Sequence, residues 1–382
     1  MSDELYDPVA NPYAPGAGTP PPALVGRDKV IGVADVGLRR LKSARASQHM
    51  LITGLRGVGK TVLLGKLAAL AERVGYRVIR VEAVGGDDTI RSVLRQARRI
   101  VDECDGGAKV GRALRSIESV SLTLVGTGVG VERRVGRSDR EALADVIVDL
   151  ATVVADDGLG VMLAIDEAQM LDRHDVRRLL AGVHRCGQDG LPLYCLLAGL
   201  PNLVGEVAKA ATYAERMFTV ADLGPLTPDQ VVQAIVEPAE EIGVSWSSEA
   251  TEQIVDLSDG FPFFVQTWAY HTWNAATGEP ISAADVERAA PNVDYALDSS
   301  FFAARIARIP ASEVAYVQAL ASLGPGPHRS GDVAAAAGKS TPQVAAFRDR
   351  LIAEGLIYAP RYGWVEFAIP HFDRFVRRAY PA

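Results

Sequence analysis

The chain has 382 residues, of which 48% are hydrophobic, so it is long enough for two or three domains with substantial cores. Its formal net charge of −7 excludes the overall basic composition of a protein that coats nucleic acid, so any such contact has to be local. The three cysteines lack metal or redox spacing, and no segment is typical of a signal peptide or a membrane span. We therefore expect a cytoplasmic protein with reduced thiols and no membrane contact.

Residues 1–22 contain six prolines and few groups that could join a core, which predicts a disordered tail. Residues 23–225 then alternate between short apolar runs and helical patterns, as in a parallel, doubly wound α/β sheet. The strand candidates are residues 49–53, 77–83, 161–165, 193–199 and 218–226. Residues 119–135 alternate with period two around glycines and predict an inserted hairpin that carries Arg133, Arg134 and Arg137.

After residue 225 the strand patterns stop. Residues 226–308 are predicted to form several helices, which we interpret as a helical lid. Residues 309–382 show three short helical patterns followed by two β-type runs around "RYG", the arrangement of a winged helix. The predicted fold class is thus α/β, with a P-loop ASCE core built on a parallel sheet, a helical lid and a C-terminal winged helix-turn-helix.

The stretch "GLRGVGKT" fits the phosphate-binding pattern G-x-x-x-x-G-K-[ST], between a strand and a helix. In such a loop, backbone N–H groups surround phosphate oxygens at a helix N-terminus, the lysine reaches the β- and γ-phosphates, and the hydroxyl binds Mg²⁺. The alternative is an incidental glycine turn that opens a helix. The residues expected to bind the nucleotide are Gly54, Leu55, Arg56, Gly57, Val58, Gly59, Lys60, Thr61 and Val62.

The apolar run "VMLAI" ends in Asp166 and Glu167, which is the Walker B pattern. With Thr61, Asp166 is expected to hold Mg²⁺, and Glu167 to polarise the attacking water as a general base. Acidic residues at a strand end also cap helices, so the functional interpretation of Asp166 and Glu167 depends on the P-loop upstream.

With these two motifs, residues 24–382 resemble the AAA+ and STAND-type P-loop ATPases, close to archaeal-type ATPases and the initiator or origin-recognition branch. The resemblance implies that Arg27 in "LVGRD" lies near the nucleotide. It also implies that Asn202 in "LLAGLPNL" is a sensor that orients the lytic water, or else a plain helix cap. Arg216 is implied to be an arginine finger that acts on a neighbouring subunit of a homo-oligomer; a solvated or ion-paired arginine is the alternative. In initiators a hairpin insertion can also touch DNA, whereas an exposed loop is the simpler interpretation of residues 119–135.

The lid departs from the AAA+ pattern, because "DGFPFFVQTW" has no sensor arginine. Gly260 to Pro262 resemble instead the G-x-P motif of STAND ATPases, in which the proline packs beside the adenine. This departure favours a slow, switch-like ATPase over a remodelling machine.

The segment "AAAAGKSTPQVAAFRDRLIAEGLI" resembles DNA-reading domains, with Thr341 as the cap of the recognition helix. Residues 311–382 hold eight Arg and Lys against six Asp and Glu, a local net charge of only +2, so docking on protein stays an alternative to DNA contact. The candidates for DNA contact are Gln343, Arg348, Arg350 and Arg361.

Together these features predict a magnesium-dependent ATPase whose nucleotide state controls DNA binding or assembly through the winged helix. The expected ligands and partners are ATP or ADP, Mg²⁺ and double-stranded DNA. The alternative is a STAND-type signalling switch whose winged helix docks on its own core or on a protein partner. A nucleoside kinase or GTPase is disfavoured, because the chain lacks a guanine-reading NKxD motif.

Overall fold

The computed structural model of the protein describes residues 7–16, 18–105, 107–126, 137–307 and 309–380, with the backbone only at residues 122–126, 137–142 and 300. The chain divides into two compact units. The sheet unit comprises Asp28–Thr53 and Leu63–Asp222, and the lid unit comprises Met1–Arg27, Gly54–Val62 and Leu223–Ala382. Within the described ranges, no helix has both the length and the apolar character needed to cross a bilayer.

The sheet unit is built on five strands that all run parallel, in the order β2-β3-β4-β1-β5. The strands are β1 (His49–Thr53), β2 (Tyr76–Glu82), β3 (Gly160–Asp166), β4 (Leu193–Gly199) and β5 (Phe218–Asp222). The central strands β1, β3 and β4 are buried along their whole length, as expected of strands covered on both faces. Because the strands are parallel, β1, β3 and β4 end at the same edge of the sheet, with β4 between the other two.

Helices cover this sheet and close its core. They are α1 (Asp28–Lys42), α2 (Lys60–Arg73), α3 (Asp87–Asp102), α4 (Ala108–Gly126), α5 (Arg137–Asp156), α6 (Arg173–Gln188), α7 (Leu203–Ala210) and α8 (Ala214–Met217). A 3₁₀ turn, Ala168–Met170, connects β3 with α6. The apolar stripe of α3, which includes Ile90, Val93 and Leu94, belongs to the main hydrophobic core of the unit.

The predicted hairpin at residues 119–135 is wrong over its first part, because residues 119–126 continue helix α4. Ala113, Ile117 and Val120 recur at helical spacing and are all buried in the core, and this burial outweighs the alternation around the glycines. The rest of the predicted hairpin, with Arg133 and Arg134, lies outside the described residues.

Helices dominate the lid unit after residue 222. They are α9 (Pro228–Glu240), α10 (Ser248–Ser258), α11 (Pro262–Ala275), α12 (Ala283–Ala296), α13 (Ala303–Ile306), α14 (Ala311–Ser322), α15 (Ser330–Ala336), α16 (Thr341–Ala353) and α17 (Phe372–Ala379), with a π-helical turn at Leu297–Phe302. Three short antiparallel strands lie among the last helices in the order β6-β8-β7: β6 (His328–Arg329), β7 (Ile357–Tyr358) and β8 (Trp364–Phe367). We call residues 311–380 the C-terminal module.

The predicted cap of α16 is wrong by one residue. Ser340, not Thr341, is the N-cap, and its backbone N–H donates to Oε1 of Gln343 at 2.8 Å in a capping box. Pro342 explains the shift, since proline at the start of a helix places the cap just before the first turn.

Part of the predicted disordered tail is ordered against the lid helices. Tyr13 is 3% exposed, packs edge-on against Trp246 and Trp273, and donates its hydroxyl to Ile235 O at 2.6 Å. Asn11 donates to Tyr270 O at 3.0 Å. The burial of Tyr13, with its hydroxyl hydrogen-bonded, thus orders a segment whose polar, proline-rich composition predicts disorder.

Candidate nucleotide site

The glycine loop belongs to the lid unit, and its conformation demands glycine. Gly54 has a φ of 154°, and a Cβ added there would lie 2.5 Å from Leu223 O. Gly59 has a φ of 91°, a left-handed conformation that few other residues adopt. The backbone of the loop therefore requires glycine at both positions, which the phosphate-binding pattern also specifies.

Lys60 is buried at the first position of α2, and its ammonium donates to Gly54 O at 2.9 Å and to Leu55 O at 3.0 Å. Thr61 and Val62 follow in the same helical turn and are partly exposed. The lysine thus spans its own loop at the positive end of a helix dipole, where a phosphate is favoured.

Arg27, implied to lie near the nucleotide, contacts the backbone of the glycine loop. Its guanidinium is buried and donates to Val58 O at 3.0 Å and to Gly224 O at 3.1 Å. Burial lowers the pKa of Arg27 from its ordinary value. Within the lid unit, Arg27 thus braces the phosphate loop against the segment that leads to α9.

The G-x-P motif also meets the glycine loop. Gly260 has a φ of 71°, and a Cβ there would lie 2.4 Å from Leu226 O. Pro262 occupies the first turn of α11, and the next residue, Phe263, donates its backbone N–H to Gly57 O at 3.2 Å. The start of this lid helix is therefore hydrogen-bonded to the loop that would hold phosphates.

In the sheet unit, the two predicted acidic residues stand at the carboxyl end of β3. Asp166 is buried, and its Oδ1 accepts the backbone N–H of Glu167 at 2.9 Å. Glu167 adopts a left-handed conformation, with φ 48° and ψ 36°, which is costly for a residue with a side chain and is typical of functional sites. Carboxylate oxygens such as those of Asp166 are ligands that Mg²⁺ prefers.

Gln169 is a residue of this site that sequence reasoning missed. Its amide nitrogen donates to Oε2 of Glu167 at 2.5 Å, and its Oε1 accepts the backbone N–H of Leu200 at 3.1 Å. One side chain therefore connects the acidic end of β3 to the residue that follows β4. Only the neighbouring letters "DEAQ" could have suggested it.

Asn202 lies at the N-cap position of α7, two residues beyond the hydrogen bond to Gln169. Its side chain makes no capping hydrogen bond, which argues against the interpretation as a plain helix cap. Its Oδ1 is shielded from solvent and has no hydrogen-bond partner within the part of the chain that the structure describes. An unsatisfied buried amide oxygen calls for a ligand or water.

Arg216 lies on the short helix α8, just before β5. The side chain is exposed and makes no ion pair or hydrogen bond with any residue that the structure describes. The ion-paired alternative thus finds no partner in the described residues.

The four DNA candidates differ in their surroundings. Gln343 uses its side-chain oxygen in the capping box, and Arg350 lies 2.6 Å from the carboxylate of Glu313, which is buried. Arg350 therefore neutralises a buried charge within the module. Arg348 is half-buried beside Asp349, whereas Arg361 is exposed at the hairpin tip, 3.9 Å above the ring of Trp364.

Comparisons with known proteins agree with this geometry. Residues 44–205 match the family model of an AAA domain, a range that contains Lys60, Asp166 and Glu167, and residues 299–376 match a domain of unknown function. No curated protein matches the chain.

Two solved archaeal structures share the fold. The Walker-type ATPase of Pyrococcus abyssi is 17% identical with a TM-score of 0.54, over 98% of this chain and 99% of its own. The ORC2 protein of Aeropyrum pernix, in its ADP form, is 17% identical with a TM-score of 0.53, over 100% and 99%. Residues 44–205 thus match an AAA domain, and the chain has the fold of these two archaeal structures.

Proposed function

We propose that this protein binds and hydrolyses ATP with Mg²⁺, and that its nucleotide state controls DNA binding through a winged helix at residues 309–382. The observation that carries the ATPase part is the strained acidic end of β3, where Glu167 is held by Gln169. The AAA domain match and the ADP-bound ORC2 neighbour support the choice of adenine nucleotide.

The proposed roles follow from the residue types. The N–H groups of Gly54 to Val62 and the ammonium of Lys60 bind phosphates, while Thr61 and Asp166 would hold Mg²⁺, which would supply positive charge to the phosphates. Glu167 accepts a proton from the water that attacks the γ-phosphorus; the bond from that phosphorus to the bridging oxygen breaks, and ADP and inorganic phosphate are the products.

Two further groups act around the same phosphate. Asn202 orients the attacking water with the amide oxygen that has no other described partner. Arg216 stabilises transition-state charge on a neighbouring copy of the chain, and its exposure suits a role in trans. Pro262 packs beside the adenine, and Arg27 supports the glycine loop through its hydrogen bond to Val58 O.

The DNA part rests on the C-terminal module. Its order of helix, strand, two helices and two strands supports the winged-helix assignment between residues 309 and 382, with residues 226–308 as the lid. Arg361 and Tyr362 are exposed between β7 and β8, and in the proposed winged helix this hairpin tip is the wing that contacts phosphates. We assign the main DNA contact to Arg361 and a weaker one to Arg348.

The DNA contact predicts a specific loss. We expect Arg361→Ala to weaken duplex binding and to reduce the slope of log affinity against log salt by about 0.9, the value for one phosphate contact. Fluorescence anisotropy between 50 and 200 mM salt measures both quantities. Arg45→Ala, which removes an exposed arginine from the sheet unit, is the matched control. Equal losses in the two variants, or none in Arg361→Ala, would refute the assignment.

A second function, the signalling switch, is favoured by one group of contacts in the lid unit. The backbone N–H of Arg56 donates to Ala368 O at 3.0 Å, and its Nε donates to Gly355 O at 3.1 Å. The C-terminal module is thereby hydrogen-bonded to the phosphate loop itself. In this candidate function the module stays docked with ADP and is released for a protein partner by ATP.

Asp259, at the end of α10, also contacts the C-terminal module. Its carboxylate is 3.1 Å from Nε2 of His371 and 3.6 Å from Arg374. Burial and the charge of Arg374 lower the pKa of His371, while Asp259 raises it; burial dominates. The charged partner of Asp259 at neutral pH is therefore Arg374.

If docking restrains turnover, Arg374→Glu replaces this attraction by repulsion. We expect ATP turnover without DNA to rise about two- to fivefold, the equivalent of up to about 1 kcal/mol for a solvent-exposed pair. Lys339→Glu reverses an exposed charge elsewhere in the module and serves as the control. Unchanged turnover in Arg374→Glu, together with unchanged protease sensitivity of the module, would exclude this restraint.

A further inference from the structure

A basic cleft in the sheet unit lies outside the nucleotide motifs. On helix α6, His174, Arg178 and Arg185 fall on one face, since they are separated by four and seven residues. Arg173 and Arg177 stand beside this stripe, one turn apart. We call the space that these residues line the α6 cleft.

The α6 cleft has room for a ligand. Its volume is about 480 Å³, and small side chains, Ala144 from α5 and Ala181 from α6, face it between the arginines. The remaining lining residues in the described part of the chain are Arg173, His174, Arg177, Arg178 and Arg185, with no carboxylate among them. A cleft of this composition selects an anion.

Two of the arginines are held in place by helix α7. Arg173 donates to Lys209 O and Arg177 donates to Ala210 O, at 3.0 Å, which satisfies carbonyls at the end of that helix. Since a guanidinium carries five N–H donors, these bonds leave each head able to bind a further oxygen. The arginines are thus oriented before any ligand arrives.

The deeper groups of the cleft have unused hydrogen-bonding capacity. The side chain of Arg178 is 9% exposed and lies 3.3 Å from Asp175 through one terminal nitrogen, while its Nε has no hydrogen-bond partner among the described residues. The Nε2 atom of His174 is also shielded from solvent, and no described residue bonds to it. Leaving buried polar groups unsatisfied is costly, so these atoms point to a missing partner.

The charge balance of the cleft stays positive after its ion pairs are counted. Asp175 faces Arg178, and Asp145 pairs with Arg185 at 2.5 Å. Arg173 and Arg177 have no carboxylate partner among the described residues, and they donate to neutral carbonyl oxygens. Two guanidinium groups of the cleft, those of Arg173 and Arg177, are therefore left without an ion pair among the described residues.

We propose that the α6 cleft binds the phosphodiester backbone of a nucleic acid. Guanidinium groups match phosphate oxygens in a bidentate geometry. Arg173 and Arg185 lie about 18 Å apart along the helix axis, which corresponds to about five nucleotide steps at 3.4 Å each. A row of this length suits a strand with several phosphates better than one small anion.

The test uses the full chain, a labelled duplex and a labelled single strand of the same length. The variant Arg173→Gln/Arg177→Gln removes two charges and keeps an N–H donor near α7. Affinity at 50 mM salt is expected to fall at least about tenfold and the salt slope by about 1.8, for two lost phosphate contacts. The matched control, Arg95→Gln/Arg99→Gln, removes two exposed arginines from α3 and leaves both quantities unchanged.

Thermal unfolding and nucleotide binding of each variant establish that the fold is intact. Wild-type affinity in the cleft variant, an equal loss in the control, the absence of nucleic-acid binding by the wild type, or equal competition by inorganic phosphate would each overturn the proposal. Comparison with Arg361→Ala separates the two sites. A loss confined to Arg361→Ala refutes the cleft and keeps the winged helix, whereas a loss confined to the cleft variant does the reverse.

Discussion

The substitution Glu167→Gln is expected to reduce ATP hydrolysis by about 10² to 10⁴-fold and to leave ATP binding intact. The amide has the shape of the carboxylate but accepts no proton from water, so it removes only the proposed general base. The backbone at Glu167, with φ 48° and ψ 36°, strains Gln as much as Glu, so we expect the local fold of the variant to match that of the wild type. Phosphate release in a single turnover measures the chemical step, and binding of a fluorescent ATP analogue measures affinity.

A carboxylate elsewhere in the sheet unit provides the control for this experiment. Glu206→Gln changes a half-exposed residue of α7 that pairs with Lys209 at 2.8 Å, and we expect normal turnover. If Glu167→Gln hydrolyses ATP at nearly the wild-type rate, Glu167 is not the base. If it fails to bind ATP, the residue supports the site in another way.

The sheet could be predicted from the sequence because its strands are short apolar runs separated by amphipathic helices. The predicted run 161–165 lies within β3, and the run 193–199 coincides with β4. No local sequence pattern predicts the order of the strands in the sheet. That order is what puts β4 between the strand before the glycine loop and the strand before the acidic pair.

The features that escaped sequence reasoning depend on contacts between distant residues. Tyr13 is buried only because aromatic rings more than 200 positions later form its pocket. From the sequence, Arg350 is a candidate for DNA contact. In the structure it lies beside the buried carboxylate of Glu313. Gln169 gains its role from Leu200, which follows a different strand. Periodicity and motif spacing contain no information about such pairs.

The residue expected to have the other large effect is Lys60. Its ammonium is the only charged group that the phosphate pattern itself specifies, and it is held over the glycine loop by Gly54 O and Leu55 O. Lys60→Ala removes the charge that we propose binds the β- and γ-phosphates, and we expect ATP affinity to fall by at least about tenfold, as for the loss of a charged hydrogen bond. Isothermal titration with ATP and with ADP measures this loss.

The central claim is that nucleotide state controls DNA binding, and one measurement tests it most directly. DNA anisotropy is recorded for the wild type and Lys60→Ala, with ATP or ADP, at 50 and 200 mM salt. We expect salt-sensitive DNA binding by the wild type that differs between ATP and ADP, and DNA binding by Lys60→Ala that does not depend on the nucleotide. Wild-type protein that hydrolyses ATP but binds no DNA in either nucleotide state would contradict it.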